Sequence, residues 1–123
     1  MTTPPVEINI DPYYAGDSWI GMTVGPVIIN EDSPANTLTS VRMQFRDRKT
    51  GDLGFELNTS PGAGEGTITI SNASTWLIVV PAQILVGLVK GNYKWDFECT
   101  DSTGYVITLY KGKLRVIGDV THD

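Results

Sequence analysis

A chain of 123 residues is long enough to bury one real core and short for two domains. A formal charge of -5, with a pI near 4.7, argues against a general electrostatic grip on nucleic acid, which needs cationic surface to displace counterions from phosphates. It argues equally against an anionic membrane as partner, and the single cysteine rules out an intrachain disulfide or a cysteine-built zinc site.

The chain opens on MTTPPVEINIDPYY, which has no basic region followed by an apolar run and so does not read as a signal peptide. Residues 1–15 read as an N-terminal arm, followed by a single β-domain over 16–121. VEINI (6–10) and SWIGMTV (18–24) are predicted strands. Pro4, Pro5 and Pro12 prevent the arm from easily forming a hairpin of its own. It either packs on its own domain or lends a strand to a neighbour. Val6, Ile8, Ile10, Tyr13, Tyr14 and Trp19 are therefore the candidate partner-binding residues.

NEDSPAN (30–36) reads as a loop, and its Glu31 and Asp32 lack the regular acid spacing of a calcium site. SVRMQFRD alternates Val41, Met43 and Phe45 with Arg42, Gln44 and Arg46, the pattern of a half-buried antiparallel strand. Gly51 in DRKTGD supplies the positive φ of a tight turn. SPGAGEG (60–66) is glycine-rich but lacks the Lys-Ser/Thr and the helix of a phosphate loop. GTITIS is another strand, and WLIVV (76–80) a more fully buried one. PAQILVGL (81–88) is the one place where a helical turn is predicted, with Pro81 at its first position and Gly87 or Gly91 to end it. The apolar run WLIVVPAQILVGLV is about 14 residues, too short to span a bilayer as a helix.

GNYKWDFECT (91–100) is the most patterned stretch. Tyr93, Trp95, Phe97 and Cys99 form one face; Lys94, Asp96, Glu98 and Thr100 form the other. Gly104 marks a turn, then YVITLY (105–110) and KLRVIGDV (113–120) read as two more strands with Gly112 between them. Six to eight short strands with turn signals between them predict an antiparallel sandwich or small barrel, and an Ig-like β-sandwich fits better. Leu88-x-x-Gly91-x-Tyr93 matches a tyrosine corner, in which the hydroxyl bonds back to upstream backbone.

Chemistry is sparse. The one histidine, His122, is next to last, and Cys99 continues an apolar face as a small hydrophobe. Asp96 and Glu98 are about 6.5–7 Å apart along one strand face. That spacing overlaps an inverting glycosidase pair, but a solvated face with Arg42 and Arg46 as cross-strand partners is simpler. The sequons at Asn58 and Asn72 are chance matches without a secretion signal. Catalytic, cofactor and metal sites are expected to be absent. The three tryptophans leave a carbohydrate-binding module open, with Trp19 as its platform.

The order GDSW, LTSVRMQFRD, a glycine-marked turn, GTITIS and WLIVVPAQILVGLVKGNYKWDFECTDSTGYVITLYKGKLRVIGDVT resembles the small β-sandwich modules of tailed-phage and prophage virion proteins. The N-terminal module of siphophage upper-baseplate proteins, and related neck and tail-tip adaptors, are of this kind. Gly91-x-Tyr93, the turn from Asp101 to Gly104, Thr108, Gly112 and the closing LRVIGDVT carry the likeness, which runs from about Gly16 to Thr121. It implies a non-enzymatic virion structural protein, made in the bacterial host cytoplasm, that contacts copies of itself and other virion proteins. The ending at THD favours an adaptor, neck or decoration role over a receptor-binding head. The competing expectations are the carbohydrate-binding module and, third, a small glycosidase using Asp96 and Glu98.

Overall fold

The alternation of SVRMQFRD and GNYKWDFECT is realised in two long neighbouring strands. The computed structural model describes residues 6–28 and 34–118; Pro4, Pro5, Glu31, Asp32, His122 and the end of the last expected strand lie outside them. The described residues form twelve strands and no helix. In chain order they are β1 (Val6–Glu7), β2 (Tyr13–Tyr14), β3 (Ser18–Trp19), β4 (Met22–Val24), β5 (Leu38–Asp47), β6 (Leu53–Asn58), β7 (Gly66–Thr67), β8 (Thr69–Asn72), β9 (Leu77–Val80), β10 (Gln83–Ile84), β11 (Gly91–Asp101) and β12 (Val106–Ile117). The main sheet runs β1-β12-β11-β5-β6-β7, with β2 also on β12. A second sheet runs β4-β9-β8, and β10 pairs with β3.

The fold is all-β, as the sequence predicts, but its pairing is mixed. The six pairings β11–β12, β11–β5, β5–β6, β4–β9, β8–β9 and β10–β3 are antiparallel. β1 and β2 lie parallel to β12, and β7 lies parallel to β6. The arm causes the first departure: it runs along the free edge of β12 in the same direction. Ile8 N donates to Lys111 O at 2.8 Å, Ile10 N to Lys113 O at 3.1 Å and Ala15 N to Ile117 O at 2.9 Å.

Three further expectations are corrected. Residues 81–88 form β10 and a turn, not a helical turn. Pro81 lacks a backbone donor, and the Gln83 side chain holds the segment extended. Its Nε2 donates to the carbonyls of Pro81 and Thr67, and its Oε1 accepts from Thr67 N. GTITIS divides at Ile68, so that β7 joins the main sheet and β8 the second one. Within the described residues YVITLY and KLRVIGDV contribute to one strand, β12 (Val106–Ile117), that passes straight through Gly112 with a bulge at Leu109.

Gly112 has a different task from turning the chain. A Cβ there would overlap the carbonyl oxygen of Ile8 and stand 2.8 Å from Trp95 Nε1. The arm thus crosses β12 at the one residue without a side chain.

The inward faces of β5, β6, β11 and β12 share one apolar cluster with residues of the second sheet and β3. Met43, Phe45, Leu57, Ile78, Phe97 and Cys99 have no exposed surface. Burying each large apolar side chain contributes about 1.5–3 kcal/mol. Tyr93 is buried, and its hydroxyl donates to Val89 O at 2.8 Å, the bond that the Leu88–Tyr93 spacing predicts. Trp76 sits in the same cluster and donates its indole N–H to Asn36 O at 2.8 Å. Gly51 and Gly104 adopt φ of 78° and 87°. Beside Gly104, Asp101 Oδ1 accepts from Thr103 N, Thr103 Oγ1 and Tyr105 N, which fixes the β11–β12 turn.

Gly112→Ala is expected to destabilise the protein by about 1–3 kcal/mol, because the clash is with backbone and not with a flexible side chain. Limited proteolysis should then cut the freed segment before Tyr13. An unchanged melting temperature and an arm still protected would contradict this account of Gly112.

Candidate functional site

Register across β5, β11 and β12 decides which polar side chains meet on the outer face of the main sheet. Arg46, Lys94 and Lys113 stand in one row. Gln44, Asp96, Lys111 and Glu7 stand in the next, with Glu56 beyond Gln44. Arg42, Glu98 and Thr108 form a third row, and Asn92 and Arg115 a fourth. Arg42, Arg46, Lys94, Lys111, Lys113 and Arg115 are six of the nine Lys and Arg in a chain with 14 acids. Within these rows only Glu56, Asp96, Glu98 and, at the edge, Glu7 accompany them, with Glu65 reaching Asn58 beyond Arg42. The face is basic on an acidic protein.

Like charges directly opposite each other on neighbouring strands are destabilising. The Arg46–Lys94–Lys113 row places three of them side by side. Arg46 does not find an acid: its guanidinium donates to Gln44 Oε1 at 3.1 and 3.3 Å and to Gly51 O at 3.0 Å. Among the described residues the one salt bridge is Arg42 with Glu98, the cross-strand pair expected from sequence. At such an exposed position the pair contributes about 0–1 kcal/mol. Lys94, Lys111, Lys113, Arg115 and Arg48 are all exposed and make no ion pair within the described residues.

A groove of about 540 Å³ opens on this face. Lys94, Lys111, Lys113 and Arg48 line it, together with Asp96 and Glu7. Asp96 lies half-buried in the middle row, and its Oδ1 has no hydrogen-bond partner within the protein. Burial holds its carboxyl above the ordinary aspartate range, and neighbouring Glu98 adds to the effect. Arg42, Arg46 and Lys94 pull the other way without cancelling the shift. Asp96 and Glu98 are thus neighbours on one strand, one paired to arginine and one not. Cys99, behind them in the core, has its thiol pushed up to about 12 by burial and by Glu98. That keeps it protonated and unreactive, as its apolar surroundings predict.

The sequence-predicted contact residues fall elsewhere. Ile8, Ile10, Tyr13, Tyr14 and Trp19 come together around a mainly apolar groove of about 330 Å³, while Val6 lines a neighbouring one. Val6, Ile8 and Tyr14 are exposed and Ile10 is half-buried. Tyr13 and Trp19 are core residues, at 4% and 6% exposure, so little of either remains for a partner. The Tyr13 hydroxyl donates to Asp17 O and accepts from Leu85 N, and Trp19 packs edge-on against Phe45 with ring centroids 6.4 Å apart. Trp76 and Trp95 are buried as well, at 1% and 2%. Trp19 therefore cannot serve as the sugar platform that the sequence left open. Among the described residues no group of three His, Cys, Asp or Glu is placed to hold a metal ion.

Sequence reasoning missed the basic face. Its signal was present in the outward positions of each strand taken alone, but the overall charge of -5 concealed it. Only cross-strand register brings the cations together.

No family model matches the chain, and no curated protein matches it. A solved structure that resembles it is that of CopC from Methylosinus trichosporium OB3b. The two share 14% identity, with 91% of this chain and 89% of that one covered, at a TM-score of 0.44. The phage virion role expected from sequence is corrected on these findings: nothing in them points to a phage protein.

The raised carboxyl of Asp96 has a consequence for stability. It keeps its proton in the folded chain at pH values where the unfolded chain has released it. Stability from this group is therefore greatest at low pH and falls as pH rises from the ordinary Asp range through the raised value. Asp96→Asn is expected to melt above wild type at pH 7, with the gap closing towards pH 3. Thermal denaturation across that range checks it, and a variant no more stable at neutral pH would contradict it.

Proposed function

We propose that this protein is a non-enzymatic docking domain of Ig-like sandwich build, whose basic sheet face binds a short acidic segment of a partner protein. The observation that carries the reading is the Arg46–Lys94–Lys113 row. Arg46 is held by Gln44 and Gly51, but the adjacency of three like charges is itself a cost to the fold. An anionic partner turns that repulsion into binding energy. Charge complementarity of this kind sets orientation and speeds encounter.

The net charge narrows the partner. A long polyanion such as nucleic acid would meet the acidic remainder of the molecule as well as the basic face. A short acidic segment is seated within roughly one Debye length, about 10 Å at 0.1 M salt, and feels mainly the local cations. Catalysis is not part of the reading. Asp96 and Glu98 are side by side on one strand, whereas glycosidase carboxylates flank the scissile bond across a cleft.

Fluorescence anisotropy with a labelled oligo-aspartate at pH 7 and low salt tests it. Binding should weaken steeply as salt rises. The double variant Lys94→Glu/Lys113→Glu should lose at least about tenfold in affinity, a change of about 1.4 kcal/mol, while Lys90→Glu, away from these rows, should bind like wild type. Equal binding by wild type and the double variant would sink the proposal, and so would a short DNA duplex bound more tightly than the peptide. The same row predicts a trade-off. Lys94→Gln should be more stable than wild type by about 0.2–1 kcal/mol, through relief of cross-strand repulsion, yet bind the peptide less well.

A further inference from the structure

The groove on the basic face contains a carboxyl group at the place where an anion would sit. Asp96 is central in its row, between Gln44 and Lys111, and its Oδ1 is buried with no donor from the protein. Neither the fold nor the docking reading uses it. A buried carboxylate oxygen without a partner costs free energy, and the cost disappears if the group takes up a proton or meets a donor.

The charged groups around it are known from every element that packs there. From β5, Arg42 and Arg46 flank Gln44. From β11 itself come Lys94 and Glu98, the latter already paired with Arg42. β12 contributes Lys111 and Lys113 with Thr108, β1 contributes Glu7, and Arg48 closes the groove. Glu98 is committed to Arg42 and Glu7 stands opposite Lys111 at the rim, so Asp96 is the acid in the middle of the groove whose charge an incoming anion would meet.

We propose that Asp96 gates this groove: protonated, it leaves the cationic field of the lysines intact and donates its O–H to an anionic oxygen of the partner; ionised, it offsets that field and repels the partner. The inference rests on the docking reading above and adds its regulation. No bond other than hydrogen bonds changes. The proton comes from solvent and returns to solvent when the groove empties. The upward displacement of the Asp96 carboxyl agrees with this and brings the transition closer to neutral pH. Mild acid is therefore the condition under which the domain holds its partner most firmly.

The test needs a probe that does not itself titrate. A short oligopeptide of cysteic acid serves, because its sulfonates stay ionised throughout. Its affinity is measured for wild type and Asp96→Asn by titration calorimetry at steps between about pH 7.5 and 4.5, a range above the ordinary Asp value of about 3.9. Wild type should bind more tightly as pH falls. Asp96→Asn should already bind at pH 7 on the order of tenfold more tightly than wild type, with much of the pH dependence gone. In the free protein, the side-chain carboxyl carbon resonance of Asp96 should titrate above the ordinary aspartate value. Binding by both proteins with the same pH slope overturns the gate and leaves the docking face standing. No binding by either protein at any pH overturns the docking face and the gate together.

Discussion

The antiparallel register of β5, β11 and β12 is the constraint on which the rest of this molecule depends. Tyr93, Trp95 and Phe97 lie opposite Leu114, Gly112 and Tyr110 on one side and Asp47, Phe45 and Met43 on the other. That alignment puts Phe97 against Tyr110 with ring centroids 5.9 Å apart and sets Trp95 beside the side-chain-free Gly112. Because side chains alternate along a strand, the same register dictates what meets on the opposite face. A slip of one residue would send the aromatic row to solvent and the lysines into the core. The apolar cluster therefore holds the cation rows in place, and the repulsion among those cations is tolerated because the core resists any other alignment.

Much of this architecture was legible in the residues. The alternation in SVRMQFRD and GNYKWDFECT gave both long strands and their buried faces. The Leu88–Tyr93 spacing gave the hydroxyl bond to Val89, and Gly51 and Gly104 gave the turns. Three features were not legible, for different reasons. Gly112 looks like turn punctuation, yet its missing side chain serves a crossing that involves a segment about a hundred residues away in sequence. PAQILVGL has the composition of a helical turn, but the amide of Gln83 reaches Thr67 and pulls the segment straight. Ile68 looks like the middle of one strand, although the chain changes sheets there. Each depends on a contact distant in sequence, which local patterning does not encode.

The functional reading moved for the same reason. Reading the arm by itself gathered Ile8, Ile10, Tyr13, Tyr14 and Trp19, and the structure does bring them together. It commits Tyr13 and Trp19 to the core, however, because their rings fill space between the arm, β3 and β5. The basic face was divided among three strands whose individual charges are unremarkable. Arg46, Lys94 and Lys113 are far apart in the chain, so no window of sequence contains their row. Asp96 and Glu98 invited a catalytic reading as a pair. Their surroundings separate them, since one is neutralised by Arg42 and the other is left half-buried and unpartnered.

The course of the arm along β12 has a bearing on solubility. A strand of twelve residues at the margin of a sheet presents a line of unpaired amides and carbonyls, a template for the backbone of another molecule. Here Val6–Glu7 and Tyr13–Tyr14 take up two short lengths of that line, and Pro12 stands between them without a donor to offer. The arm behaves as a selvedge, finishing a border that would otherwise fray into aggregation. Trimming the chain back to Gly16 would thus expose that edge of β12, although among the described residues the segment removed contributes only Ile10, Tyr13 and Ala15 to the buried or half-buried apolar set.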